Sequence, residues 1–253
     1  MNTSNPTAAV LVIGDEILSG RTHDTNMRHI ATTLGLIGVV VKEARTVCDE
    51  QRHIVKAVRE LSAAYTYVFT TGGIGPTHDD ITADAVAAAF GRSIDVRDDA
   101  RAILKAWYDA KGVELTEPRL RMARIPEGAE LIENRVSGAP GFRLENVHVM
   151  AGVPRIMQAM LDTIIPTLKQ GARIHAVSLH VEGLKEGDVA GPLKKVAQAM
   201  PNIAFGSYPG PVDAPVPFVN LVARSTDEAA LANAVIALED MVAEMGLTGG
   251  RST

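Results

Sequence analysis

The sequence predicts an α/β protein: a mostly parallel sheet with helices on both faces, followed by a small C-terminal α+β domain. Three observations predict it. Short apolar runs at residues 8–13, 39–47 and 65–71 alternate with stretches of helical periodicity. That rhythm calls for right-handed crossovers between parallel strands. Near residue 171 it gives way to a β-α-β-β-α block that is complete in itself. The expected domains are residues 1–170 and 171–253.

The elements follow in order. Residues 8–13 are a buried strand that ends at Gly14. Asp24 or Thr25 caps a helix with Met27, Ile30, Ala31 and Leu34 on one face, stopped by Gly35. The second strand leads to Asp49, a candidate cap for a helix that turns Ile54, Val55, Val58 and Leu61 inward. The third strand ends in Gly72-Gly73. Helices are expected at 80–90, at 97–110 with Ile103, Leu104 and Trp107 on one face, and at 118–123. Residues 130–134 and 147–151 read as further strands, and 153–169 as a helix that Pro166 kinks or ends. In the second block, strands at 174–181, 203–208 and 218–224 accompany helices at 188–200 and 227–245. The segment 209–217 is a proline-rich hairpin loop, and 246–253 is expected to be a frayed tail.

Composition excludes several classes. With 253 residues and 46% hydrophobic residues the chain can bury an ample core. A formal net charge of -5 argues against a nucleic-acid partner, which selects a basic face. The single cysteine, Cys48, can build neither a disulfide framework nor a cysteine zinc site, and reads as a half-buried structural thiol. A polar start and the lack of a long apolar stretch predict a cytoplasmic protein with no membrane contact.

The chemistry is expected at the carboxyl ends of the parallel strands, where ligands of open α/β sheets bind. In residues 70–82, Gly72, Gly73 and Gly75 follow a buried strand and let the backbone approach a ligand closely. Their N–H groups can line an anion nest, and the helix beyond adds its dipole. Asp79 and Asp80 exceed what one cap needs: one caps, and the other can hold a divalent cation, although glycines for turn geometry with Asp79 as a plain cap explain the segment equally well. Gly14, Asp15, Glu16 and Ser19 follow the first strand, either as a ligand loop or as an ordinary polar loop. Asp49 taken alone needs no role beyond a cap. Together, Asp15, Asp49 and Asp80 follow three successive strands and should share one rim, as a magnesium–phosphate site requires.

Four motifs in order carry a resemblance. Residues 14–20, 71–82, 137–142 (Ser137 to Phe142) and 152–154 together resemble the molybdopterin-binding domain of the competence/damage-inducible protein A family, also found in eukaryotic FAD synthases. The stretch beyond 170 resembles that family's small second domain. His78 stands where bacterial members commonly carry proline, and Ala151 where many members do. The resemblance implies a molybdopterin-binding-like fold and a ligand that is a small nucleotide or pterin. It implies either a metal-dependent pyrophosphatase acting on ADP-ribose or FAD, a molybdopterin adenylyltransferase, or a module that binds without turnover. Asp49 and Asp80 match the aspartates of the adenylating relatives and become the catalytic candidates; Asp15, Asp49 and Asp80 would hold Mg2+ or another divalent cation. Thr77, Thr82, Ser137 and Gly138 join the ligand set on the same ground, and a homodimer is implied because related domains self-associate.

Overall fold

The computed structural model describes residues 5–252. It divides into two compact units, one ending at Gly171 and the other starting at Ala172.

In the first unit Thr7–Ile13 (β1) is apolar from Ala8 onward because it is buried there from both sides. Ala9, Leu11 and Ile13 join one core cluster, and Ala8, Val10 and Val12 join the other. A strand with period 2 and no exposed face must read as a continuous apolar run. A single turn, Asp15–Leu18 (α1), leads to Asn26–Leu36 (α2). Asp24 accepts N–H bonds from Asn26 and Met27, so it ties the start of α2 as expected. Gly35 does not stop the helix; the chain turns at Gly38, whose φ is +71°. Met27 is 37% exposed and lies off the buried face formed by Asn26, Ile30 and Leu34.

Val40–Val47 (β2), Gln51–Ala64 (α3), Tyr67–Thr71 (β3) and Thr82–Phe90 (α4) continue the alternation. Ile94–Val96 (β4) precedes Asp98–Asp109 (α5) and Glu117–Leu120 (α6), and pairs antiparallel with Arg124–Pro126 (β5). Glu130–Ile132 (β6), Gly141–Leu144 (β7), Val147–Met150 (β8) and Pro154–Ile164 (α7) complete the unit, and Pro166 sits in a 3-10 turn that ends α7. The main sheet has the order β2-β1-β3-β8-β7-β6. The first four strands are parallel; β8, β7 and β6 run as an antiparallel meander. Residues of α3, α4 and α5 build the core on one face, and α2 and α7 that on the other. Ala100 and Leu104 carry the buried side of α5, whereas Ile103 is 45% exposed and turns away from the core.

The second unit is a four-stranded antiparallel sheet in the order Ala204–Pro209, Phe218–Ser225, His175–Glu182, Gly249–Ser252. His175–Glu182 (β9), Ala204–Pro209 (β10) and Phe218–Ser225 (β11) pack against Glu186–Ala199 (α8) and Glu228–Glu244 (α9) around one core cluster. The expected frayed tail is instead Gly249–Ser252 (β12), paired antiparallel with β9. Edge pairing through backbone groups needs no apolar side chains, and Arg251 adds an ion pair to Glu239. A Cβ at Gly249 would lie 2.7 Å from Leu179, so glycine also lets this strand sit close.

Candidate functional site

Parallel pairing brings the carboxyl ends of β1, β2, β3 and β8 to one edge of the sheet. The loops after β1, β2 and β3 leave that edge, as does the loop after β6, which runs in the direction of β8.

The loop after β3 is held from below. Gly72 N–H donates to the Met150 carbonyl at 3.2 Å, so it extends the β3–β8 ladder and is already used. The buried Thr82 hydroxyl donates to the Gly72 carbonyl at 2.9 Å, and the Thr82 N–H to the Gly73 carbonyl at 2.9 Å. Gly72 and Gly73 have φ of +104° and +66°. A Cβ on Gly72 would meet the Ile13 carbonyl oxygen at 2.1 Å, and one on Gly73 the Thr82 hydroxyl at 2.2 Å. Both glycines are therefore required by positive φ and close approach together. Among the described residues the N–H groups of Gly73, Ile74 and Gly75 donate to no protein atom. These three N–H groups are available to an anion, and that of Gly72 is not.

Neither Asp79 nor Asp80 caps α4, whose cap position is Ile81 with no side-chain bond. Asp80 folds back instead. Its Oδ2 accepts the Thr77 N–H at 2.8 Å and the Thr77 hydroxyl. A Cβ at Gly75 would lie 2.6 Å from that oxygen, so glycine leaves room for the carboxylate against the turn. His78 is fully exposed, within 4.0 Å of Asp79.

Asp49 is not a helix cap either. Its Oδ2 accepts the Asp15 N–H at 2.9 Å, which joins the ends of β1 and β2. Burial raises its pKa above the usual carboxylate value; the Asp15 N–H opposes this, and the charges of Asp15, Glu16 and Asp79 add to it. Four carboxylates thus crowd one side of the rim. Glu16 folds over Gly14, where a Cβ would lie 2.5 Å from its Oε2. Ser19 is exposed, its hydroxyl donating to the Glu16 carbonyl at 3.3 Å. Hard, mutually repelling oxygens of this kind suit a divalent cation such as Mg2+. The oxygens of Asp15, Asp49 and Asp80 do not all lie within 4.8 Å of one another, and Asp80 is bonded to Thr77.

The loop after β6 is organised by Asn134, a buried residue the sequence did not single out. Its side-chain amide donates to the Ser137 hydroxyl at 2.6 Å and to the Ala139 carbonyl at 2.8 Å. Its Oδ1 accepts the N–H groups of Val136 and Ser137. The readable signal was an Asn opening a Ser-Gly loop, the pattern of an Asx turn. Gly138, at φ +76°, lies where a Cβ would be 2.3 Å from the Trp107 ring.

Between these loops lies a cleft of about 620 Å³. Glu16, the residues 72–76, Asp80, Asn134 and Ser137 line its polar side. Tyr108, Met122, Val153, Pro154 and Ile156 supply an apolar wall. Gly152 closes on Gly72, a Cβ there lying 3.2 Å from the Gly72 Cα, and its carbonyl accepts the Asn26 amide at 2.7 Å. The volume is that of a small-molecule site.

The chain resembles known proteins over most of its length. A family model described as "Probable molybdopterin binding domain" matches residues 9–170, and one described as "FAD synthase, middle domain" matches residues 173–248. A protein of Aeropyrum pernix is 36% identical over 256 residues, covering 96% of each chain. A CinA-like protein of Desulfosudis oleivorans is 37% identical over 209 residues, covering 79% of this chain and 51% of its own length. This chain thus spans about half of that relative. The crystal structure of CinA from Thermoplasma acidophilum, a protein of unknown function, matches with a TM-score of 0.59 at 35% identity, over 64% of this chain and 98% of that one. Among the described residues no helix is long and apolar enough to cross a membrane.

Proposed function

The chain belongs to the molybdopterin-binding domain family, as a CinA-like member followed by an FAD-synthase middle domain, and from that premise we propose that its cleft binds a nucleotide or pterin phosphate and hydrolyses the diphosphate bond of a ligand such as ADP-ribose or FAD. One observation carries the reading: unspent N–H donors at Gly73, Ile74 and Gly75 open into the same cleft as an apolar wall. Phosphate oxygens accept from the turn, and the flat ring of the ligand lies against Met122, Val153 and Ile156. A divalent cation, held by Asp49 and Asp80 with Asp15, would supply neutralisation of the diphosphate charge. Asp49, its pKa raised by burial, accepts the proton of the attacking water. Asp80 is kept in place by Thr77, so its carboxylate is fixed before ligand arrives.

That the three carboxylates do not gather within 4.8 Å of one another supports a second reading, a module that binds such ligands without turnover. One substitution separates the two. Asp80→Asn keeps an acceptor for the Thr77 N–H and so keeps the fold, but removes the charge. Release of AMP from ADP-ribose or FAD with Mg2+ is expected to fall by about 10²-fold or more. Equal rates in both proteins refute the role of Asp80. No turnover in either, with tight binding in both, selects the binding module.

A further inference from the structure

We propose that Cys48, Glu50 and His53 form a binding site for one divalent transition-metal ion of the zinc class, separate from the carboxylates of the cleft. The thiol sulfur, a carboxylate oxygen and an imidazole nitrogen of these residues all lie within 4.8 Å of one another. Tetrahedral coordination at bond lengths of about 2.0–2.3 Å places ligand atoms roughly 3.3–3.7 Å apart. Closing the site therefore takes side-chain movements on the order of 1 Å, and Glu50 and His53 are exposed and free to make them.

The local chain explains why the three meet. Cys48 follows the last residue of β2, and Glu50 precedes the first residue of α3 in an extended conformation, with φ -118° and ψ 126°. The chain bends at Asp49 between them, and the Asp49 carboxylate is engaged elsewhere, by the Asp15 N–H. His53 lies in the first turn of α3, one turn from Glu50, with its Nε2 3.8 Å from the Glu50 Oε2. Arg52 shares that carboxylate in an exposed ion pair at 2.8 Å, a competitor that a metal ion displaces readily.

The donor set decides the metal. Magnesium takes oxygen ligands and does not select a thiolate; sulfur with imidazole selects zinc, cobalt and their neighbours. Three protein ligands leave a fourth position to water, as in open zinc sites. Binding displaces the thiol proton to solvent.

Cys48 is the only cysteine of the chain, so any thiolate-to-cobalt charge transfer reports on it alone. The experiment is a Co2+ titration of the untagged, chelator-treated full chain, followed by displacement with Zn2+. One equivalent is expected to give a thiolate charge-transfer band and tetrahedral visible bands, reversed by Zn2+. Cys48→Ser abolishes the thiolate band, and His53→Ala weakens binding by about tenfold or more. Asp80→Asn leaves both unchanged. The proposal is overturned if one equivalent gives no thiolate band, if His53→Ala binds as tightly as the parent, or if Asp80→Asn removes the signal and so places the ion in the cleft. Melting curves of the variants, expected to match the parent at these half-buried and exposed positions, rule out unfolding as the cause of any loss.

Discussion

Replacing Gly72 by alanine puts a methyl group where the main sheet has no space. Gly72 has φ +104°, and its added Cβ would stand 2.1 Å from the Ile13 carbonyl oxygen. That oxygen belongs to β1, which is hydrogen-bonded on both edges, so it cannot retreat alone. The left-handed backbone costs a non-glycine residue about 1–2 kcal/mol. The overlap adds about 1–3 kcal/mol, the range for overpacking a core. Together they make roughly 2–5 kcal/mol, a fall in melting temperature of about 4–20 °C for a protein of this size. Gly20→Ala is the control. Its φ is +72°, and a Cβ there meets nothing within 4 Å, so only the backbone cost of about 1–2 kcal/mol remains. Calorimetric melting of the two variants beside the parent measures the difference. If Gly72→Ala melts no lower than Gly20→Ala, the close approach of β1 to the turn is not what fixes this glycine.

Three further outcomes are expected. Asp49→Asn keeps an acceptor for the Asp15 N–H and relieves a carboxylate crowded by Asp15, Glu16 and Asp79; its melting temperature at pH 7 should be no lower than the parent's, while AMP release falls by about 10²-fold or more, and a lower melting temperature contradicts the crowding. His148 is buried against Phe69 with ring centroids 5.0 Å apart, and burial first, then Arg143, lowers its pKa to about 4. Because the folded value lies below the unfolded 6.5, the unfolded chain binds the proton first. Stability is full above pH 6.5 and falls on acidification to about pH 4, by up to about 3 kcal/mol; denaturant melts of His148→Phe, compared with the parent, should lack that component, and identical pH profiles would contradict it. Limited proteolysis is expected to cut between Leu168 and Ile174 first and to leave a resistant fragment ending there; early cuts inside 8–150 would speak against two separately folded units.

What could be read from the residues depended on where the deciding force lay. β1 was legible because burial on both faces writes itself as an apolar run. The antiparallel strand β7 was not, since Gly141, Phe142, Arg143 and Leu144 follow a glycine-proline loop and are too few to show a period. The β4–β5 pair, three residues each, was missed for the same reason. β12 is held by backbone pairing to β9, which leaves no apolar trace. At the site, the rim position of Asp15, Asp49 and Asp80 followed from strand order, but their bonds did not. An aspartate before a helix reads as a cap, and only the meeting of β1 with β2 reveals that Asp49 serves Asp15 instead. Similarly, the glycines announced a tight turn, while the spent Gly72 N–H depends on where Met150 arrives in the sheet. Asn134 was hidden because its role lies in four bonds to its own loop.

The central claim is that the turn at 73–75 receives the phosphates of a ligand lodged in the cleft of the first unit. Amide chemical shifts of the isotope-labelled full chain, titrated with ADP-ribose in the presence of Mg2+, test it most directly. Saturable shifts are expected at Gly73, Ile74 and Gly75, with smaller ones at Gly72, whose N–H stays with Met150. Asp80→Asn should weaken them, and residues 172–252 should remain still. Saturable shifts confined to residues 172–252, or a turn at 73–75 that does not respond at millimolar ligand, would contradict the account.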